Sequence, residues 1–488
     1  MGTWQSAVSL LAETARMAGS AASPGGPEIL GNAAAAPGLA GPASPQDLLA
    51  ARTQMALSLG WHIVLACLGV GMPALILLVE WRAIRTGDDA YMRLARQWAT
   101  AIGVLFAAGA VSGTILSFEL GLLWPAMMGV YGQVIGLPFA AEGVAFFVEA
   151  IFLGIYLYSW NRVPPKAHLL TGLPVLIAGT ASAFLVVCAN AWMNTPRGFT
   201  GTGSVVRDVS PWRAMFNPAV PHETLHMIVA AFMVSGFLVA GVYAAGMLRG
   251  RTDRHHRLGF LVPFTLAAAF TPVQVVVGDW AGKEIARLQP AKLAAAEALF
   301  QTRAGAPLSI GGIVSGDRLH YSIEVPKALS FLAHGSFDAV VQGLDRVPRP
   351  DRAPVGIVHL AFDLMVAMGF GLLLLSAWLA WSWWRRRETP RSPWFLRLAA
   401  LSGVAAVIAV EAGWTVTEVG RQPWTVYGHM RTSDAVNPAP GLWNGFVIVT
   451  LVYLVLTVVT LYVLRLLRRA GRPIAPQEPE RAPAPEPR

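Results

Sequence analysis

Charge is scarce in this chain. Asp, Glu, Lys and Arg make up 13% of its 488 residues, whereas a soluble domain carries about 25%. Cysteine is scarcer still: Cys67 and Cys188 are the only two, each inside an apolar run. That excludes a disulfide framework, a cysteine-built zinc site and Cys-ligated iron–sulfur chemistry, and both are expected to be plain helix-packing residues. The N-terminus lacks a basic start followed by an apolar core, because Glu13 and Arg16 interrupt it, so it does not read as a secretory signal. MGTWQS fits the N-myristoylation pattern, a match short enough to arise by chance. The formal charge of +9 suggests an anionic partner, but the basic residues sit mostly in short loops between apolar runs, and no nucleic acid is expected.

What fills the chain instead is apolar: 55% of it, in uncharged stretches of roughly twenty residues that belong in a membrane. Nine such runs lie at about 53–80, 97–121, 137–160, 168–192, 221–248, 258–278, 355–383, 395–419 and 441–466. Each is long enough to span as a helix, so the expected fold is an all-α polytopic membrane protein. Residues 1–46, rich in Ala, Gly, Pro and Ser, and the tail 471–488 are expected to be disordered. The membrane domain is then 47–470.

The loops after the odd-numbered runs are basic. Arg82, Arg85, Arg93 and Arg96 follow the first, Arg162 and Lys166 the third, Arg249, Arg251, Arg254 and Arg257 the fifth. Arg385, Arg386, Arg387 and Arg391 follow the seventh, and Arg465, Arg468 and Arg469 the ninth. WPAMMGVYGQVIG, read as the loop after the second run, has no charge. The N-terminus is therefore expected outside and the C-terminus in the cytoplasm. On that topology the long connection 279–354 lies outside, with helix-like AKLAAAEALFQTR near its start; a loop of such length is usually functional or disordered.

Ionisable residues inside spans are costly and mark function by default. His62 in LGWHIVLACLG, His226 in PHETLHMIVAAF, Glu411 in VEAGW and the pair Glu142/Glu149 in AAEGVAFFVEA stand out; Met365 in FDLMVAMGFG joins them by position. Packing is the plain reading of a buried Met, and interhelical hydrogen bonding that of a lone His. Yet His62, His226, Met365 and Glu411 share the outer half of four different helices, with His62 roughly 14 Å from its outer end. His, His, Met and Glu suit a metal, and haem above all, since a Met/His pair holds low-spin haem. Non-haem iron or copper fits less well, because no span carries Glu-x-x-His or several His on one face. His222 reads as interfacial, and His255-His256 as solvated residues of a cytoplasmic loop.

The chain resembles subunit I of the cytochrome bd-type quinol oxidases over about residues 47–466, through LGWHIVLACLGVGMP, AAEGVAFFVEAIFLG, CANAWMNTP, the span around His226, QPAKLAAAE, AFDLMVAMGF and VEAGWTVTEVGRQPW. The resemblance implies that His226 and Met365 are axial ligands of a low-spin haem b. It implies that His62 and Glu411 serve two high-spin haems: one haem b, and haem d or a third haem b in its place. Which serves which stays open. Arg421 and Trp424 are expected near haem, Arg421 paired with a propionate or bracing a helix end; Glu418 is expected to reach water. The outer connection resembles a quinol-binding loop, with Gln289, Lys292 and Glu297 matching its pattern and Asp279 at its root. Glu142 and Glu149, seven residues apart, project within roughly 20° of each other about 10 Å apart along the helix, and resemblance makes them a proton path. Two features depart from the family: Asp363 stands where an Arg is common, and the loop is short, lacking the long C-terminal insertion of some members; SFELGLLW, with Glu119, is similar to the cyanide-insensitive branch.

The implied activity is a quinol:dioxygen oxidoreductase of the bacterial inner membrane. It oxidises ubiquinol or menaquinol outside, reduces oxygen to water, and builds proton motive force without pumping. The implied partners are a homologous subunit II, a small single-span subunit and membrane lipid. The rival reading is a secondary transporter with a Glu/His relay, which predicts broken spans in an inverted repeat.

Overall fold

The computed structural model describes residues 43–201, 205–390 and 392–470. MGTWQS, Arg391 and most of the two tails expected to be disordered lie outside them. Among the described residues nine helices are long and apolar enough to cross a membrane: α1 (Pro45–Thr86), α2 (Asp89–Leu123), α3 (Pro125–Tyr158), α4 (Pro165–Asn194), α5 (Val220–Leu248), α6 (Arg254–Leu288), α7 (Val355–Arg386), α8 (Pro393–Val419) and α9 (Leu442–Ala470). They match the nine apolar runs one for one.

Most helices overshoot their runs. The 42 residues of α1 extend about 63 Å, roughly twice a hydrocarbon core. Polar caps set these ends. Ser44 accepts from the Asp47 amide at 3.0 Å, Asp88 from Ala90 at 2.9 Å and Asp253 from His256 at 3.1 Å, each satisfying an N–H that the helix leaves free. WPAMMGVYGQVIG is not a loop: α2 and α3 are separated by Trp124 alone, and Pro125 opens α3, where its missing N–H costs nothing.

α5 packs along α6 and α8, α1 against α2 and α5, α3 along α4, and α7 along α8. Small residues bring helices close, as in other membrane bundles. A Cβ on Gly403 would lie 2.6 Å from Leu238 Cα, and one on Gly71 2.5 Å from Ser235 Cβ. Phe237, Phe260, Phe264 and Phe395 fill the centre. α9 leans on α1 and α2 and presents Val447, Leu451, Val455 and Leu461 outward.

Contacts sort the connections into two ends. At one, Arg254 pairs with Asp88, Arg96 Nη2 donates to Asn161 Oδ1 at 2.7 Å, and His255 meets Gln97 at 3.1 Å; this is the end bearing the basic loops. At the other, Arg52 donates to Gln422 Oε1 at 2.6 Å, Asn437 to the Leu122 carbonyl at 2.8 Å, and the Tyr427 amide to the Met193 carbonyl at 3.0 Å.

The long connection at this second end is folded. α6 runs on to Leu288, so Asp279 is helical rather than the root of a loop. A short helix, Pro290–Ala296, then ends well before the expected stretch does, because Ala298 adopts a positive φ of 47° and the Leu299 amide turns back to the Ala294 carbonyl at 2.8 Å. The turn buries Leu299 among Ala286, Leu293, Ala306, Leu329, Ala333 and Val341. Two small antiparallel ladders follow, Leu308–Ile310 with Ile323–Val325 and Ile313–Ser315 with Arg318–His320, and Arg303–Ala304 pairs with Val340–Val341.

Candidate functional site

His62 lies on α1, three turns or so below the second end, and its Nδ1 is 2.8 Å from Ser112 Oγ on α2. Ser112 already donates to the Gly109 carbonyl at 2.9 Å. It must therefore accept from His62 Nδ1–H, which leaves Nε2 unprotonated with a free lone pair. This is how proteins prepare an imidazole for a metal. Glu411 on α8 reaches α1 beside it: a Cβ on Gly60 would sit 3.2 Å from Glu411 Oε2, while Oε1 is buried without a hydrogen-bond partner. Met365 on α7 faces α8, its Sδ 3.1 Å from where Gly413 would carry a Cβ. His226 on α5 faces α6, its Cε1 3.5 Å from the corresponding point on Gly278, with Nδ1 buried and unpartnered.

Each of the four donors thus meets a glycine on a neighbouring helix; for His62 it is Gly113, at 3.2 Å. Among the described residues no three His, Cys, Asp or Glu side chains converge as one metal-binding group, so the four do not form a single coordination sphere. A haem iron brings its own equatorial nitrogens and needs one or two axial ligands. Separated donors on different helices, unsatisfied or with a bare lone pair and flanked by residues without side chains, fit that group.

Glu149 on α3 is buried between α1 and α4, its Oε1 3.0 Å from a Cβ position on Gly179 and 3.9 Å from one on Gly69. Glu142, two turns away, accepts from Ser182 Oγ of α4 at 2.9 Å.

At the second end Gln289, Lys292 and Glu297 are all buried. Gln289 Nε2 donates to the Asn194 carbonyl at 2.5 Å, and Lys292 Nζ to Asn194 Oδ1 at 2.7 Å. Burial pushes the Lys292 amine below its ordinary range, against the pull of Glu223. Asn194 also donates to Glu223 Oε1 at 3.2 Å. Glu297 is pushed up to about 8 by burial and by the nearby charge of Asp363, opposed by a backbone hydrogen bond at Ser309. Asp279 stands apart: it is exposed and pairs with Lys283 at 2.5 Å.

Arg421 is buried, donates from Nη2 to Glu418 at 2.6 Å, and leaves Nε and Nη1 without partners. Glu418 does not simply reach water: Arg421 and Asn190 both donate to it. Trp424 lies under the Arg431 guanidinium, 4.8 Å from ring centroid to carbon. Asp363, in the place of a common Arg, accepts from the Gly311 amide at 2.6 Å and so anchors a loop hairpin. His222, in the first turn of α5, is buried among protein side chains, with Nδ1 unpartnered and its ring 6.0 Å from that of Trp280.

Sequence reasoning missed Asn194, which joins the connection to α4 and to Glu223 of α5, and Asn190, which joins α4 to Glu418. Glu223 had a usable signal, since it lies three residues before His226 and shares its face. Glu80 and His168 were also missed; each sits near basic residues and passes for an interfacial group.

Nine spans with separated intramembrane His, Met and Glu donors fit a polytopic membrane protein that holds haem. Comparison places it more narrowly. Residues 50–472 match the family model of cytochrome bd terminal oxidase subunit I. The chain is 38% identical over 414 residues to a putative cytochrome bd menaquinol oxidase subunit I of Bacillus subtilis, covering 83% of this chain and 93% of that one. It is 28% identical to the cytochrome bd-II ubiquinol oxidase subunit 1 of Escherichia coli, covering 79% and 88%. The solved bd oxidase of Geobacillus thermodenitrificans superposes with a TM-score of 0.81 at 39% identity, covering 87% of this chain and 99% of that one. The chain belongs to the cytochrome bd terminal oxidase subunit I family. It is accordingly a subunit of a haem-bearing quinol oxidase of the bacterial inner membrane, working with a second subunit. The transporter reading falls with that assignment.

Proposed function

We propose that this chain oxidises quinol at its outer end and supplies the ligands and proton path for reduction of oxygen to water. The basic loops gathered at one end support an N-terminus outside and a C-terminus inside. The outer connection then holds the quinol. Glu297 accepts a proton from a quinol hydroxyl, while Lys292 and Gln289, braced by Asn194, hold the neighbouring oxygen. Asp279, exposed on α6, contributes charge at the approach rather than a contact in the buried group.

The observation that carries the haem assignment is the pairing of His62 Nδ1 with Ser112, whose own hydrogen goes to Gly109, an arrangement that leaves Nε2 to bind a metal. His226 and Met365 hold a low-spin haem b; His62 and Glu411 hold the high-spin pair, a haem b and either haem d or another haem b. Bound haem supplies one-electron transfer and the iron at which oxygen is reduced. Arg421, with two donors free beside Glu418, neutralises a propionate. Glu142 and Glu149 carry protons inward-to-outward along α3 towards the oxygen site. Protons released by quinol outside and consumed from inside separate charge without a pump. Subunit II and a small single-span subunit cover apolar faces such as that of α9, with lipid on the rest.

The test is a reduced-minus-oxidised spectrum of the purified complex. A low-spin b band with a second, high-spin contribution is expected, and a long-wavelength haem d band distinguishes d from b. A preparation with no Soret absorption overturns the assignment.

A further inference from the structure

Glu80 on α1, His168 on α4 and Tyr156 on α3 meet near the basic end of the bundle, where none of the roles above places a residue. All three are buried. Tyr156 O–H donates to Glu80 Oε2 at 2.5 Å, His168 Nδ1 lies 2.7 Å from Glu80 Oε1, and His168 Nε2 lies 3.0 Å from the Tyr156 carbonyl. A carbonyl only accepts, so Nε2 carries a hydrogen. Tyr156 has spent its own hydrogen on Oε2. One proton is then left to share between Nδ1 and Oε1, as imidazolium with carboxylate or as neutral imidazole with carboxylic acid. The Trp160 ring covers His168 at 3.8 Å between centroids, and the Arg96 guanidinium caps Trp160 at 4.9 Å, so only one aromatic layer separates the shared proton from the polar loop.

The cluster is in line with the carboxylates. Glu142, Glu149 and Tyr156 are spaced by seven residues, so they share one face of α3, with successive steps of about 10 Å. Between Glu149 and the cluster lies a small cavity lined by Pro73, Ile76 and Leu77 of α1, Leu153 of α3, and Gly172 and Val175 of α4; Tyr156 itself forms part of its wall. On α1 this lining falls between Gly69, beside Glu149, and Glu80. On α4 it falls between Gly179, also beside Glu149, and His168. The same order on three helices places the cavity between the cluster and Glu149, a step of the same length as the one from Glu149 to Glu142. An apolar cavity is dry at rest, which denies a standing leak and makes the entry of water the gated part of the transfer.

We propose that Glu80, His168 and Tyr156 form the inner mouth of the proton path, passing one proton at a time across this cavity to Glu149. The inference rests on the reading of Glu149 and Glu142 as that path. In each turnover a proton from inner water binds the cluster, the shared proton moves from Nδ1 or Oε1 onto a short chain of waters that enters as the apolar walls part, and the chain delivers a proton to Glu149; no other bond changes.

The experiment uses the whole oxidase with its second subunit. Proton uptake is followed by a pH dye and electron transfer by haem absorbance, in a single turnover with oxygen. Glu80→Gln and Glu149→Gln are each expected to slow uptake at least tenfold with haem content unchanged. Because the two act in series, their delays add rather than multiply, and the double variant is expected to be at most about twofold slower than the slower single. Tyr156→Phe keeps the aromatic packing and removes only the O–H; it is expected to slow uptake several-fold and raise its solvent isotope effect, a change that mere packing would not produce. Wild-type uptake in Glu80→Gln and Tyr156→Phe with slow uptake in Glu149→Gln would overturn this mouth and keep the path. Wild-type uptake in Glu149→Gln would overturn the path itself and this proposal with it.

Discussion

Glu297→Gln tests the outer site most directly, because the pressure on that carboxyl can be worked from its surroundings. Burial and the charge of Asp363 raise it from 4.5 to about 8. At about 1.4 kcal/mol for each tenfold, keeping it ionised in place costs roughly 5 kcal/mol as an upper bound. The sign follows: unfolded, the group ionises near 4.5; folded, near 8. Stability is unaffected below the lower value and falls as pH rises between the two. The substitution is expected to remove that loss, so the variant melts higher than wild type at pH 8 and equally at pH 4. Activity should move the other way. Near pH 7 only about a tenth of Glu297 is ionised, so if the carboxylate is the base, kcat/KM for quinol rises nearly tenfold from pH 6 to 7 and levels above 8. Glu297→Gln is expected to lose about 100-fold, the low end for a general base, and to flatten the profile while the haem spectrum stays intact. The assay is oxygen consumption against quinol concentration across pH, with melting followed in parallel. A variant that keeps the rising limb near pH 8 would refute the reasoning and move the titration to another group.

Three further outcomes are expected. Met365→Leu nearly conserves volume, so the fold holds while the low-spin haem becomes high-spin or drops in potential; an unchanged spectrum and midpoint remove Met365 as ligand. Glu149→Gln slows the proton-coupled phase of oxygen reduction at least tenfold with haem retained, read by single-turnover absorbance and dye; equal rates take Glu149 off the path. Arg421→Met strips Glu418 of its buried cation, costing about 3 kcal/mol and lowering the potential of the nearby haem by removing positive charge; redox titration beside thermal melting checks both.

The spans were legible because hydropathy is a property of composition, and nine runs became nine helices. Their ends were not, since caps such as Ser44 and Asp253 are single polar residues outside the apolar window. Trp124–Pro125 shows the same failure in reverse: an uncharged stretch between two spans read as loop, although proline at the start of a helix extends α3 backward. In the site, residues that are costly alone in lipid announced themselves, as His62, Glu142 and Glu411 did. Residues whose cost is met by a distant partner did not. Glu80 passes for an interfacial group until His168, 88 positions away, is seen 2.7 Å from it. Lys292 reads as solvated until Asn194 and Glu223 are placed around it. Asp279 was drawn into the quinol group by its nearness along the chain, yet the continuation of α6 carries it onto an exposed face.

The folded connection has its own apolar centre, from Leu293 through Leu299 and Leu329 to Val341, and meets the bundle both through Ala295, Ala296 and Ala353 packed on Val358, Ala361 and Val416 and through polar contacts such as Gln289 to Asn194 and Asp363 to Gly311. That arrangement divides inheritance as well as space. On the quinol reading proposed above, changes in the part centred on Leu299, Leu329 and Val341 would alter which quinol tail or ring is accepted, whereas changes at Ala295 and Ala296 would be felt by the helices that carry Met365 and Glu411. A lineage moving between respiratory quinones would then rewrite the first part and keep the second.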